Sequence, residues 1–532
     1  MLLPSGEILP RDIAVRGERI AAVAEDVQAP GARRVELRGK VVVPGYVEPH
    51  CHTLGPLSVE TYVGHGLARG TTAFVSDDSY AYTFLDLPRY ERLLDYALSS
   101  PVVLVWSART DTGARTISWA EVTGMFGRPD LGQIGELATG KFLDPLDPEL
   151  ATQLADAKSL GIRVEGHSPG ASPRTLGAAA AAGVSADHEA IGGAEAIERL
   201  RQGIFASLRH NGLRPDLPEI IPALLASGVP LDRAAFTIDG GMPSWISRNG
   251  TIDAAVAAAL EAGLDPARAY RMASLNPAAY LGLEQHLGMV APGRLASLNV
   301  LADLGTPMPE QVFNRGRLAA SFGVLETELP PVPWAEIGAP RWSEEPRGPG
   351  RDAYVLRDDD DPVVHLHSQA IVRSGPGRDP GAALACVAID PVADTFTRAR
   401  FHGFPAGLRA VATTLTPERL LVAIGNDPDD LRACVDAIYA AGGGLAYVDD
   451  EGLRVLPLPI AGAITTAPFA EVARFWSAFE DHMIALGHEL PAPTMTLMFI
   501  PTDALPGTRF LSRGLVDTRT DETLAPSRPI PR

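Results

Sequence analysis

Six residues of this chain carry side chains suited to a hydrolytic metal centre, and each falls where an apolar run ends. The run VVVPGYVEPHCH, residues 41–52, closes on two histidines at i, i+2. On an extended strand, side chains two apart share a face, so His50 and His52 point together while Cys51 turns away. Farther along, LGQIGEL ends near Glu136, IRVEGH at His167, VSADH at His188 and AAFTID at Asp239. Four imidazoles and two carboxylates at one place are what a pair of divalent ions requires. Imidazole suits Zn, Fe, Mn or Ni, a carboxylate can span two ions, and hard oxygen donors favour Fe or Mn over Zn. An isolated H-x-H in a chain with 12 histidines has even odds of being chance. His167 or His188 alone is more often a buried hydrogen-bonding residue. Their shared position at strand ends favours the metal reading.

The strands belong to a repeating pattern. From residue 41 onward the chain alternates apolar strand, loop and amphipathic helix, with eight strand segments: VVVPGYVEPH (41–50), TTAFVSD (71–77), PVVLVWS (101–107), LGQIGEL (131–137), IRVEGH (162–167), VSADH (184–188), IFASL (204–208) and AAFTID (234–239). Helical stretches such as PRYERLLDYAL, PELATQLADAKSLG, AEAIERLRQ and EIIPALLASG lie between them, and AAVAAALEAG follows the last. This is the outline of an α/β protein built on a (β/α)8 TIM-like barrel, which carries its chemistry at the C-terminal ends of the strands.

The flanks complete the plan. Residues 1–40 hold short alternating strands, RDIAVRG and RIAAVAED, too small to stand alone. LGMVAPGRLASLNVL returns to strands, so residues 1–40 and 285–328 are expected to form a small β-sandwich split around a barrel at 41–284. Residues 265–283 read as one helix with a capping Asp265 and with Asn276-Pro277 near its end. A Pro- and Gly-rich linker spans 329–352, and a second α/β domain spans 353–532. In that domain Gly442-Gly443-Gly444 follows a helix rather than preceding one, which marks a C-cap and not a phosphate site. His365 and His367 repeat the H-x-H spacing without carboxylates around them and read as a half-exposed strand pair. His65 reads as structural, and the acidic run 358–361 as solvated surface.

Composition narrows the function classes. The chain has 532 residues, with 65 acidic against 46 basic side chains and a net charge of −19, which argues against nucleic acid and anionic membrane as partners. Three widely spaced cysteines, Cys51, Cys386 and Cys434, make neither a disulfide framework nor a zinc ribbon. The opening MLLPSGEILP has no basic or apolar leader pattern, and no window holds the ~18 apolar residues of a membrane span, so a cytoplasmic enzyme is expected. The expected partner is a small molecule, with self-association through the added domain as a further expectation.

The motifs together resemble the adenine deaminase family of the amidohydrolase superfamily. The resemblance is carried by VVPGYVEPHCH, GHGLARGTTAFVSD, IGEL, EGHSPG, AAGVSADHE, GTIDAAVAAALEAGLDPARAYRMASLNPAAYLGL and LGMVAPGRLASLNVL. It continues with GNDPDDLRACVDAIYAAGGGLAYV, LPLPIAGAITT and FLSRGLVD, so it covers nearly the whole chain. It implies two divalent ions, Mn or Fe before Zn, with His50 and His52 on one and His167 and His188 on the other. Glu136 bridges them in that scheme, and Asp239 is both ligand and general base. Lys141, the alternative bridge, lies five residues beyond Glu136, past the strand end. Water shared between two such ions loses its proton near neutrality. Asp239 then carries that proton to the leaving nitrogen, a task that suits a carboxylate whose pKa lies near the working range. For adenine the attacked carbon is C6, and ammonia leaves.

Departures from the family pattern fall on the substrate side. Asp77-Asp78-Ser79-Tyr80 stands where D-P-H-E is usual, and Arg209-His210-Asn211-Gly212 where R-E-G-S is usual. Asp239-Gly240 replaces paired aspartates, Thr416-Pro417-Glu418-Arg419-Leu420 replaces H-D-S-H-N, and Glu48 replaces an aspartate. Asp77 and Arg209, at the edges of the altered stretches, are expected to meet the substrate. All six ligands are kept. Three readings follow: an aminohydrolase acting on adenine or a related aminopurine, a hydrolase of another cyclic amide, lactam or amidine with the same centre, and a catalytically silent metal-binding relative.

Overall fold

The computed structural model describes residues 1–109, 118–138, 148–343, 348–357, 361–375, 383–503 and 505–530. Lys141 and residues 358–360 of the acidic run lie outside them. Asp361, the last residue of that run, is not solvated: it is buried, and its Oδ2 accepts from Nε of Arg398 at 2.8 Å.

Eight parallel strands in sequence order form the barrel: β1 (Tyr46–Cys51), β2 (Thr71–Ser76), β3 (Val103–Ala108), β4 (Leu131–Ala138), β5 (Arg163–His167), β6 (Ala186–Asp187), β7 (Phe205–Arg209) and β8 (Ala234–Thr237). A parallel bridge between Cys51 and Asp239 joins the last strand to the first. Strands β1 and β2 are buried on both faces, as near-continuous apolar runs in parallel sheets must be. Helices alternate with the strands; α1 (Val59–Ala68) follows β1, and α2 (Leu87–Ser99) follows β2.

The run 41–52, which reads as one strand in the sequence, is two. Val41–Pro44 pairs antiparallel with Leu298–Leu301 in a five-stranded sheet outside the barrel, and only Tyr46 onward enters β1. Gly45 marks the switch, because a Cβ there would lie 2.3 Å from Oγ1 of Thr72. The hairpin of Asp12–Arg16 and Arg19–Ala24 packs on that sheet, with Ile20, Val42, Val290, Leu298 and Val300 in one small core. The segment 265–283 is likewise two helices, Pro266–Met272 and Leu275–Leu281. Asp265 does cap, accepting from the Arg268 amide at 3.2 Å. Pro277 has no N–H to give the Ala273 carbonyl one turn back, and that carbonyl accepts instead from the Val47 amide of β1 at 2.9 Å.

The C-terminal region centres on a nine-stranded mixed sheet covered by helix Pro428–Ala441, which Asp427 caps and Gly442 ends in the left-handed conformation at φ 79°. His365 sits in a hairpin strand, its ring stacked on His402 with centroids 4.9 Å apart. This region lies over one side of the barrel mouth. Thr465 forms a bridge with Leu57 after β1, its amide donating to the Pro56 carbonyl at 2.9 Å. Nη1 of Arg419 reaches the Thr83 carbonyl after β2 at 3.4 Å, and Arg248 after β8 pairs with Glu480 at 2.8 Å. No helix among the described residues is long and apolar enough to cross a membrane.

Candidate metal centre

Strand irregularities aim the ligands. The β1–β2 register shifts between Glu48 and Cys51, around Pro49, which cannot donate to a ladder. The freed His50 amide donates to Oε1 of Glu48 at 3.1 Å. Oε2 of Glu48 takes the Ile238 amide at 2.9 Å, so this one carboxyl ties β1 to the end of β8. The β4–β5 register shifts between Ile134 and Leu137, a bulge that turns Glu136 into the mouth. Glu136 and Asp239 both adopt left-handed backbone, at φ 39° and 52°. Such conformations cost non-glycine residues of order 1–3 kcal/mol and cluster at functional sites. Gly135 makes the turn feasible, since a Cβ there would meet Oδ2 of Asp77 at 1.8 Å.

Four donor atoms converge. Oε1 of Glu136 lies 3.2 Å from Nε2 of His50 and 3.0 Å from Nε2 of His52. Oδ1 of Asp239 lies 3.4 and 3.2 Å from the same two nitrogens. Nε2 of His188 is 3.8 Å from Oε1 of Glu136, its ring stacked on that of His50 at 3.9 Å. His167 stands apart from this set. With His188 and Glu189 it makes a second group, its Nδ1 being 3.5 Å from Oε1 of Glu189.

Glu165, which the sequence reading passed over, holds the imidazoles in place. Its buried carboxylate takes Nδ1 of His50 at 2.9 Å and Nδ1 of His188 at 3.2 Å, leaving both Nε2 atoms directed at the mouth. Gln133 donates to the same carboxylate at 2.9 Å. Nδ1 of His52 donates to the Asp77 carbonyl at 2.5 Å, so its Nε2 also points inward. The spacing that flags His50 and His52 flags Glu165 and His167 as well, two residues apart on β5.

Two arginines face the acids. Nε of Arg109 donates to Oδ1 of Asp77 at 2.7 Å, and its Nη2 pairs with Oε2 of Glu136. Nη1 and Nη2 of Arg209 clamp Glu189 at 2.9 Å each, and Nη1 also reaches Oδ2 of Asp239 at 2.6 Å. Asp77 is fully buried and Arg209 only 6% exposed, while Oδ2 of Asp77 and Nε of Arg209 have no hydrogen-bond partner among the described residues. Each of the two residues expected to meet the substrate makes an ion pair, Asp77 with Arg109 and Arg209 with Glu189 and Asp239. Arg109 and Glu189 are absent from the sequence reading although both sit at strand ends, next to Ala108 and His188.

Burial would raise Glu136 and Asp239. Against it, Arg109 and the imidazoles hold Glu136 well below the usual carboxylate range, and Arg209 with the imidazoles does the same for Asp239. Asp239 is therefore ionised. Burial also opposes the charge on Glu165, yet His50 and His188 bring it down to about 2. Glu48 has no cation at hand strong enough to offset burial and rises to about 8.

The donors fit a divalent ion. Nε2 of His50 and of His188 are buried and make no hydrogen bond among the described residues, though carboxylate oxygens lie within 3.8 Å. Imidazole nitrogens and carboxylate oxygens facing one point make a donor set for a cation, and mixed imidazole and carboxylate sets bind Zn, Mn or Fe. Beyond the ligands, Asp78 accepts from Thr53 at 2.6 Å and from the Leu54 amide at 3.0 Å. Asn211 folds its own loop, donating to the Ile238 carbonyl at 2.8 Å. Both altered positions are thus structural. His65 is structural too, its ring 3.8 Å from that of Phe469.

The model of the amidohydrolase family matches residues 148–326, and that of the adenine deaminase C-terminal domain matches residues 371–522. The adenine deaminase of Cenarchaeum symbiosum is 29% identical over 549 aligned residues, 97% of this chain and 89% of that protein. The adenine deaminase of Desulfatibacillum aliphaticivorans is 27% identical over 537, covering 96% and 93%. Among solved structures, N-acetylglucosamine-6-phosphate deacetylase from Pasteurella multocida aligns with a TM-score of 0.47 and 17% identity, over 58% of this chain and 95% of that one. An amidohydrolase-family match over residues 148–326, an adenine deaminase C-terminal domain match behind it and relatives aligned almost end to end make this chain similar to the adenine deaminases among the amidohydrolases.

Proposed function

We propose that this chain hydrolyses the exocyclic C–N bond of adenine or a related aminopurine, adding water at C6 and releasing ammonia to leave the 6-oxo purine. The observation that carries the reading is the convergence of Nε2 of His50, Nε2 of His52, Oε1 of Glu136 and Oδ1 of Asp239, with nitrogen–oxygen separations of 3.0–3.4 Å. His50, His52 and Asp239 would hold one divalent ion and His167 and His188 a second, with Glu136 between them. The carboxylates favour Mn or Fe, and the imidazoles also suit Zn. A divalent ion at this place lowers the pKa of water enough to supply hydroxide near neutral pH.

The protein's own groups do the rest. Asp239, ionised and steadied through Oδ2 by Arg209, takes the water's proton on Oδ1 and passes it to the departing amino nitrogen. Glu165 keeps His50 and His188 from rotating. Asp77 and Arg209 act as positioning residues, the first through Arg109 and the second directly on Asp239. The test is ammonia release from adenine by protein supplied with Mn or Fe, beside Glu136→Gln and Asp239→Asn. Turnover lost in both variants supports the assignment. A metal-loaded wild type that leaves adenine untouched overturns the substrate.

A further inference from the structure

The acids of the mouth share their oxygens unequally between arginines and imidazoles. Glu136 gives Oε2 to Arg109 and turns Oε1 toward His50, His52 and His188. Asp239 gives Oδ2 to Arg209 and turns Oδ1 toward His50 and His52. Glu189 has both oxygens on Arg209, at 2.9 Å each. The carboxylate oxygens at the mouth without an arginine therefore cluster around Nε2 of His50 and of His52, and Oε1 of Glu136 also lies 3.8 Å from Nε2 of His188. On the side of His167 and His188, the neighbouring Oε1 of Glu189, 3.5 and 3.6 Å away, is already neutralised.

A carboxylate holds two ions most firmly with one oxygen on each, about 2.0–2.2 Å from a metal such as Zn, with the ions about 3.5–4 Å apart; a single shared oxygen holds the second less firmly. At Glu136 a guanidinium stands where the second ion would meet Oε2. It repels that ion as well as displacing it, because it is always charged. We propose that Arg109 sets the metal count of this centre: one ion is held tightly by His50, His52, Glu136 and Asp239, and the His167–His188 side takes a second only weakly. The proposal rests on the metal reading above and narrows it. Arg109 is a positioning residue here, acting through the second oxygen of Glu136.

The test counts metal and does not depend on turnover. Protein prepared with Mn is desalted, its metal per chain measured by mass spectrometry, and the Mn signal recorded by electron paramagnetic resonance. One retained ion with an uncoupled six-line spectrum is expected for the wild type. Arg109→Met should retain two, with an exchange-coupled spectrum, and Arg109→Lys, which keeps the charge, should stay at one. Two tightly held ions in the wild type overturn the proposal, as does an Arg109→Met protein that folds and still holds one. Should that variant not fold, the wild-type count and spectrum decide alone. No retained metal in the wild type would instead sink the metal reading itself, a result distinct from either count.

Discussion

Two imidazoles hang on one carboxylate at the floor of the site. Glu165 is buried between His50 and His188, and its two bonds fix which nitrogen of each ring faces the mouth. Glu165→Gln keeps the shape and one acceptor but removes the charge and offers an N–H where a second acceptor is needed. Loss of such a partner typically weakens metal binding 10–100-fold. Competition against a chelator should show that loss for Mn or Zn while the fold stays intact. Unchanged affinity would mean that the rings are held by packing alone. The proposed ligands are legible in the sequence because they obey a positional rule: His50, His52, Glu136 and Asp239 all stand at strand ends. Arg109 and Arg209 obey the same rule. Their pairing with Glu136, Asp77, Glu189 and Asp239 is not legible, because it joins strands far apart in sequence whose register is set by bulges.

At the scale of elements, the alternation of strand and helix is written in the apolar periodicity, and the departures from it have local causes. Gly45 splits one apolar run between two sheets, and Pro277 divides one helical segment into two. Neither break interrupts the hydrophobic pattern, so pattern alone reads through them. The docking of elements also has a titrating consequence. His65 on α1 stacks on Phe469 of helix Phe469–Ala485. Burial and the neighbouring Arg69 charge push its pKa to about 4, against a bond with the Ile246 backbone that favours the charged ring. The unfolded chain takes up this proton near pH 6.5 and the folded chain only near pH 4. The unfolded state thus binds more protons in that window, and stability falls as pH drops from 6.5 toward 4. At 1.36 kcal/mol per pKa unit, the contribution is at most about 3 kcal/mol. His65→Phe keeps the stacked ring and removes the proton. Denaturant midpoints at pH 7 and pH 4.5 should differ less in that variant than in the wild type. An equal difference in both would show that the ring is solvated when folded.

Over the whole molecule, barrel and C-terminal region share one hydrophobic core. Leu54, Leu57 and Tyr62 from the barrel belong to the same continuous cluster as Leu415, Ile464, Trp476 and Phe479. Hydrogen bonds and an ion pair at the loops after β1, β2 and β8 add to it. These loops leave the C-terminal ends of the barrel strands, where the donor set lies, so the C-terminal region also forms part of the wall on one side of the mouth. Chains of this size often unfold domain by domain, but a core that crosses the boundary makes separate unfolding expose apolar surface on both sides. Trp476 tests this, being wholly buried within helix Phe469–Ala485. Trp476→Ala removes a large side chain from a packed core, at a cost of about 3–5 kcal/mol. If the two parts are coupled, thermal unfolding of the variant shows one transition at lower temperature, and proteases cut barrel loops and C-terminal strands at the same onset. Two separated transitions, with the barrel melting as in the wild type, would mean that the shared core is contact without cooperation and that the wall of the site can open on its own.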